Sequence, residues 1–122
     1  MSREIVDSLS LAGIALILSA GQLLFKLTAI RLPTVAQFSD LRHLIHDPLL
    51  WLALVLYGGA TVLWICMLQR VELMHAYPFA ALAFVLVPIG ASAFLGERLS
   101  LGVMVGTLFI VIGICVTVVS AR

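Results

Sequence analysis

Residues 48–69 read PLLWLALVLYGGATVLWICMLQ, without one charged side chain. About 20 consecutive apolar residues, rising about 1.5 Å each along a helix, are enough to cross the hydrocarbon core of a bilayer. In that core a backbone N–H or C=O cannot turn to water, so the segment has to satisfy its own hydrogen bonds, as an α-helix does. Three more uncharged stretches repeat the pattern at Ser8–Phe25, Ala76–Gly96 and Leu99–Ala121. The short alternating segments of a transmembrane barrel are absent. The expected fold is therefore all-α and integral to the membrane, with four transmembrane helices in one domain over residues 1–122.

Composition agrees. The 122 residues are 63% hydrophobic and 11% charged, with a mean hydropathy of +1.22. A soluble domain carries roughly a quarter charged residues, enough to cover an aqueous surface; this chain is too apolar for that. A net charge of +1 with no basic run points away from a nucleic-acid partner. No glycine-rich phosphate loop is present, so nucleotide hydrolysis is not expected, nor is a cofactor. The flank Met1-Ser2-Arg3-Glu4-Ile5-Val6-Asp7 is not net basic and no convincing small-x-small cleavage site follows, so the first stretch reads as a retained helix and not a leader. Cys66 and Cys115 fall inside apolar stretches and are expected to act as small hydrophobes.

With the N-terminal side called A, the four crossings put Arg3, Arg70 and Arg122 on side A and Lys26, Arg31, Arg42 and Arg98 on side B. Three against four leaves the orientation undecided by the positive-inside rule, a balance compatible with insertion in both orientations. In the long connection between the first two spans, Phe38, Leu41, Leu44 and Ile45 share one helical face, which suits a short helix in the interface plane. His43 and His46 in the same segment have too few companion ligands for a metal site, and contact with lipid headgroups is the favoured reading. The connection Gly96-Glu97-Arg98-Leu99-Ser100 is so short that the last two spans form an antiparallel hairpin.

Gln22 and Lys26 lie one turn apart near the end of the first span. Either Lys26 snorkels to the interface, or both face the bundle and hold a lipid phosphate. Lys26 and Glu97 share side B and could pair. Glu97 and Arg98 either mark the water boundary or meet a headgroup, the carboxylate taking a cation and the guanidinium a phosphate. Tyr77 stands beside Pro78, which is expected in the first turn of the third span, and Pro88 with Gly90 is expected to kink that span. Gly102, Gly106 and Gly113 form a small-residue stripe on the fourth span where another helix can approach closely, and Gly58-Gly59-Ala60-Thr61 makes a similar patch on the second.

Taken in order, Ala76-Tyr77-Pro78, Ala81-Leu82-Ala83-Phe84-Val85-Leu86-Val87, Leu95-Gly96-Glu97-Arg98-Leu99-Ser100 and Gly106…Ile110…Gly113 resemble the EamA-like drug/metabolite transporter superfamily. The four-helix length is similar to the small multidrug resistance family. Ala20-Gly21-Gln22-Leu23 with Lys26, together with Ala76-Tyr77-Pro78, resembles more closely the subunits that flip undecaprenyl-phosphate-linked aminoarabinose for lipid A modification. The resemblance covers nearly the whole chain. One departure separates the branches: the exporters depend on a membrane-embedded glutamate in helix one, and the matching position here is Leu18. Proton-coupled export by that route is not expected. The stripe Gly102, Gly106, Ile110, Gly113 and Ile114 is similar to the exporters' dimerisation stripe, so pairing is expected to survive.

The resemblance implies a multi-pass protein of the bacterial inner membrane, a flippase subunit and not an enzyme, that moves a polyprenyl-phosphate-linked sugar, with an aminosugar favoured. Gln22, Lys26, Tyr77, Glu97 and Arg98 would line the path, with no metal. Four helices are too few to enclose a large headgroup, which implies a dimer, either with a second copy (antiparallel included) or with a related four-helix subunit. Two other readings remain at this point: an exporter of cationic drugs or metabolites, and a non-transporting scaffold for a membrane partner.

Overall fold

The computed structural model of the protein describes residues 2–32, 34 and 37–120. Arg122 and Ala121, placed above at the end of the fourth span, lie outside the described residues. The described chain folds into α1 (Arg3–Arg31), a 3-10 turn (Phe38–Asp40), α2 (Leu41–Ile45), α3 (Pro48–Leu68), α4 (Leu73–Ala80), α5 (Ala83–Leu95) and α6 (Leu101–Ser120). Four spans are long and apolar enough to cross a membrane: α1, α3, α4 with α5 taken together over Leu73–Leu95, and α6.

α1 is longer than its uncharged stretch. Its 29 residues extend about 43 Å, beyond a hydrocarbon core of about 30 Å. Arg3, Glu4 and Asp7 at one end and Lys26 and Arg31 at the other therefore reach headgroup depth without breaking the helix. α3 starts where its chemistry favours a start: Asp47 Oδ1 accepts the Leu49 N–H at 2.8 Å, and Pro48 opens the helix where its missing N–H costs nothing. The Trp51 indole N–H donates to the Ile45 carbonyl at 2.7 Å, tying α3 to the short α2. The interfacial segment expected over 38–45 is present as the 3-10 turn plus α2, and Phe38 is almost wholly uncovered by protein.

α1 is the axis of the bundle. It packs on α3 along its length and also on α5 and α4, whereas α6 rests on α4 and α5. Small side chains predominate in the contact surfaces: Ala15, Ser19 and Gly21 on α1, Ala53 and Ala60 on α3, Ala76 on α4, Gly90 and Ala91 on α5 are buried, with the larger Leu11, Ile14 and Thr28 on α1 and Pro78 on α4. Lipid is as apolar as leucine, so helices in a bilayer gain by close approach and not by hiding greasy surface, and small residues permit it. At Gly21 a Cβ would sit 3.2 Å from Tyr57 Cδ2, and at Gly90 it would fall 2.6 Å from Leu23 Cδ1. The hydroxyls are satisfied within their own helices, as at Ser19 to the Ala15 carbonyl (2.7 Å) and Thr28 to the Leu24 carbonyl (3.0 Å).

Three expectations change. The third span begins at Leu73, so Pro78 lies in the helix interior and not in its first turn. The break in the helical hydrogen bonding of that span falls at Ala81–Leu82, where the Leu82 and Phe84 N–H groups bond to Phe79 and Ala81, three residues back, while α5 remains helical through Pro88. Pro78 and Pro88 each lack the N–H that would bond four residues back, so the Met74 and Phe84 carbonyls have lost their helical donors; neither lost bond spans Ala81–Leu82, where the chain tightens into a 3-10 turn. The third change concerns the close-packing patch on the second span, of which only Ala60 is buried; the stripe on the fourth span, whose partner the spacing leaves open between this chain and a second copy, is also uncovered. Gly58, Gly59, Gly106 and Gly113 have open space where a Cβ would go, and α6 has no buried residue. The glycines that seat helices within the chain are Gly21 and Gly90.

Overpacking at a seated glycine costs about 1–3 kcal/mol. Gly21→Val should lower unfolding stability in mixed micelles by an amount in that range, while Gly59→Val should leave it within about 0.5 kcal/mol of wild type, since only helix propensity changes. Equal losses in both would refute the assignment of Gly21 to the α1–α3 seat.

Candidate functional site

The polar chemistry of the bundle gathers where α1 meets the end of α5, and the register is set one turn below. Leu23 leans over Gly90, which brings the two helices close. Lys26 follows Leu23 by one turn, and α5 ends at Leu95. Gly96 takes the left-handed conformation (φ 69) that glycine adopts without strain, and the Glu97 N–H folds back onto the Ala91 carbonyl at 3.3 Å. This C-cap turns the chain so that the side chain after it points back towards α1. Lys26 Nζ and Glu97 Oε1 stand 3.4 Å apart, each side chain about half uncovered (53% and 50%). The shared side inferred from the sequence is thus realised as an ion pair.

The other expected residues divide. Gln22 is on α1 one turn before Lys26 and is exposed; Arg98 follows Glu97 and is exposed, with no ion pair among the described residues. Both border the Lys26–Glu97 pair in sequence. Tyr77 is elsewhere, on α4 at the opposite end of the third span, in edge contact with Trp64 (centroids 6.5 Å apart, planes at 70°). It lines an open groove of about 700 Å³ between α4 and α6, together with Met74, Pro78, Ile110, Gly113 and Ile114. Three residues of the expected dimer stripe therefore face the same groove as Tyr77, and Gly106 stands free. Gly102 has only the Ser100 hydroxyl, at 3.9 Å, near its open side.

Leu18, at the position of the exporters' glutamate, is a half-buried apolar residue of α1. Both cysteines are free and exposed on the single chain. Leu23, Gly90 and Gly96 position the pair. The sequence signal for Gly96 was its place before Glu97 at a helix end; nothing in the spacing singled out Leu23 against Gly90.

Comparison with known proteins gives the setting. A protein of Aeromonas salmonicida is 34% identical over 110 residues, 88% of this chain and 93% of its own length. It is named "Probable 4-amino-4-deoxy-L-arabinose-phosphoundecaprenol flippase subunit ArnE". The chain belongs to the ArnE/ArnF family of flippase subunits. A Pseudomonas aeruginosa ArnE is 40% identical over 70 residues, a match that spans 57% of this chain and 61% of that relative. An Erwinia tasmaniensis relative, named as the ArnF subunit, is 36% identical over 84 residues, 65% of this chain and 66% of its own. No family model matches the chain, and no solved structure does. Family and four apolar spans together make it a multi-pass protein of the bacterial inner membrane.

A double-mutant cycle with Lys26→Met and Glu97→Gln should give a coupling of about 0.2–1 kcal/mol, the scale of an incompletely desolvated pair. Gly96→Ala, which forces a Cβ into the left-handed region at about 1–2 kcal/mol, should lower stability and shrink that coupling. A coupling unchanged by Gly96→Ala would dissociate the cap from the pair.

Proposed function

We propose that the chain is one subunit of a flippase that carries a polyprenyl-phosphate-linked aminosugar across the inner membrane, a transporter and not an enzyme. The observation that carries the reading is the half-uncovered Lys26–Glu97 pair at the edge of the bundle. An aminosugar phosphate is itself a zwitterion. Its phosphate matches an ammonium, its amino group matches a carboxylate, and an ion pair already oriented can exchange both partners at once without leaving a charge alone at the membrane boundary.

In this reading Lys26 and Arg98 take the phosphate, Gln22 offers amide hydrogen bonds to the sugar, and Glu97 takes the amino group. The isoprenoid tail stays in lipid, where it belongs energetically. Tyr77 acts at the other end of the path, on the α4–α6 groove. The stripe Gly102, Gly106, Ile110, Gly113 and Ile114 receives the second subunit, with Gly102 and Gly106 exposed and Ile110, Gly113 and Ile114 reached through the open α4–α6 groove that they line. The relatives' names include both an ArnE and an ArnF subunit, which favours a related four-helix partner over a second copy. The chain works as one transmembrane unit over its length.

The test is flipping of undecaprenyl-phosphate-linked aminosugar in proteoliposomes, with the chain alone and with a related four-helix subunit. Lys26→Ala and Glu97→Ala should each slow flipping at least about tenfold, the loss of one charge-assisted contact. The exchanged pair Lys26→Glu with Glu97→Lys should recover stability but not transport. Wild-type rates in both single variants would remove the proposed path.

A further inference from the structure

On side B, outside the Lys26–Glu97 pair, the last turn of α1, the short α2 and the start of α3 enclose an open pocket of about 400 Å³. Arg31, Arg42, His43, His46 and Asp47 supply its charged and titratable groups, and Leu32 and Pro48 complete it. The balance is strongly basic. Asp47 is its one carboxylate, and Oδ1 of that group already accepts the Leu49 N–H as the α3 cap. Asp40, nearby in α2's lead-in turn, accepts the Gln37 N–H with Oδ2 at 3.0 Å. Neither arginine has a carboxylate within ion-pair distance among the described residues.

The backbone around these groups is fixed. The imidazole Nδ1 of His46 stands 2.7 Å from the Arg42 carbonyl and closes the last turn of α2 on itself. The Trp51 indole ties the same turn to α3. Depth is also defined. Phe38 is 93% uncovered and Ile45 55% uncovered by protein, which suits a segment lying at the lipid boundary with apolar side chains in the acyl region. A tryptophan in the first turn of a span marks the same level. A pocket carrying two unpaired guanidiniums therefore opens where headgroup phosphates reside, and the planar guanidinium fork matches phosphate oxygens in pairs.

We propose that this pocket is a phosphate-recognition site at the membrane surface, in which Arg31 and Arg42 hold the phosphate of a lipid. It is independent of the path through the bundle, because it shares no residue with Gln22, Lys26, Tyr77, Glu97 or Arg98. The phosphate can come from an anionic phospholipid of the bilayer or from a polyprenyl phosphate, and the chemistry recognised is the same.

Native mass spectrometry of the full chain, released from detergent with added lipid, tests it. Phosphatidylglycerol is compared with diacylglycerol, and undecaprenyl phosphate with undecaprenol, so each phosphate lipid has a phosphate-free partner. The wild-type chain should retain the phosphate lipid of at least one pair and neither neutral counterpart. Retention of phosphatidylglycerol identifies the bilayer as the source, and retention of undecaprenyl phosphate alone identifies the carrier. Arg31→Gln with Arg42→Gln should weaken retention roughly tenfold or more, while Arg3→Gln at the other end of α1 should leave it unchanged. Equal retention of neutral and phosphate lipids, or wild-type retention in the double variant, overturns the proposal. Amide hydrogen exchange over residues 41–46 of the wild-type chain gives a second reading that needs no variant. It should slow with the phosphate lipid only, and no change with either lipid also overturns it.

Discussion

Everything in this bundle depends on how closely other helices can approach α1. In lipid the usual reward for burying apolar side chains is missing, and dispersion between tightly apposed surfaces takes its place. Gly21 under Tyr57 and Gly90 under Leu23 provide the approach on two sides of α1. The Leu23 seat fixes the height of α5 against α1, that height carries the left-handed Gly96, and Gly96 presents Glu97 to Lys26. A polar contact at the membrane boundary is thus decided by apolar geometry one turn deeper.

The spans were legible in the sequence because length and lack of charge alone decide whether a helix can cross hydrocarbon. Their ends were less so. α1 runs well beyond Ser8–Phe25, since a charged residue at headgroup depth does not stop a helix, and a rule that reads charge as the boundary cuts it short. That Lys26 and Glu97 share a side followed from counting crossings, which left their pairing as one possibility; the contact itself needed the Leu23–Gly90 register and the Gly96 turn. The separation of Tyr77 from that pair was also implicit, as the two ends of one span lie on opposite sides. Missing from the sequence was the choice of partner for each glycine. The regular stripe Gly102, Gly106 and Gly113 makes the stronger pattern, yet the isolated Gly21 and Gly90 hold the chain together, because spacing describes one helix surface and not what lies against it. The site of the irregular turn escaped as well. Each proline removes a bond on its N-terminal side, at Met74 and at Phe84, and the irregular turn at Ala81–Leu82 falls in neither stretch, so the proline positions alone do not mark it.

The chain belongs to the ArnE/ArnF family, and its ion pair and its exposed α6 surface lie on different parts of the bundle. Among the described residues the fourth span packs mainly on the third, through α4 and α5, and no residue of it is fully buried. The balance of three basic residues against four, with Arg122 among them, leaves the electrostatics of insertion equally permissive.

The two prolines have one more consequence. The carbonyls of Met74 and Phe84 are hydrogen-bond acceptors without their helical donors, about 15 Å apart along the same span. In hydrocarbon such an acceptor is met only by a donor that a neighbouring helix, a side chain or the local turn brings to it. The third span therefore depends, at two depths, on hydrogen bonding that its own α-helical ladder does not supply.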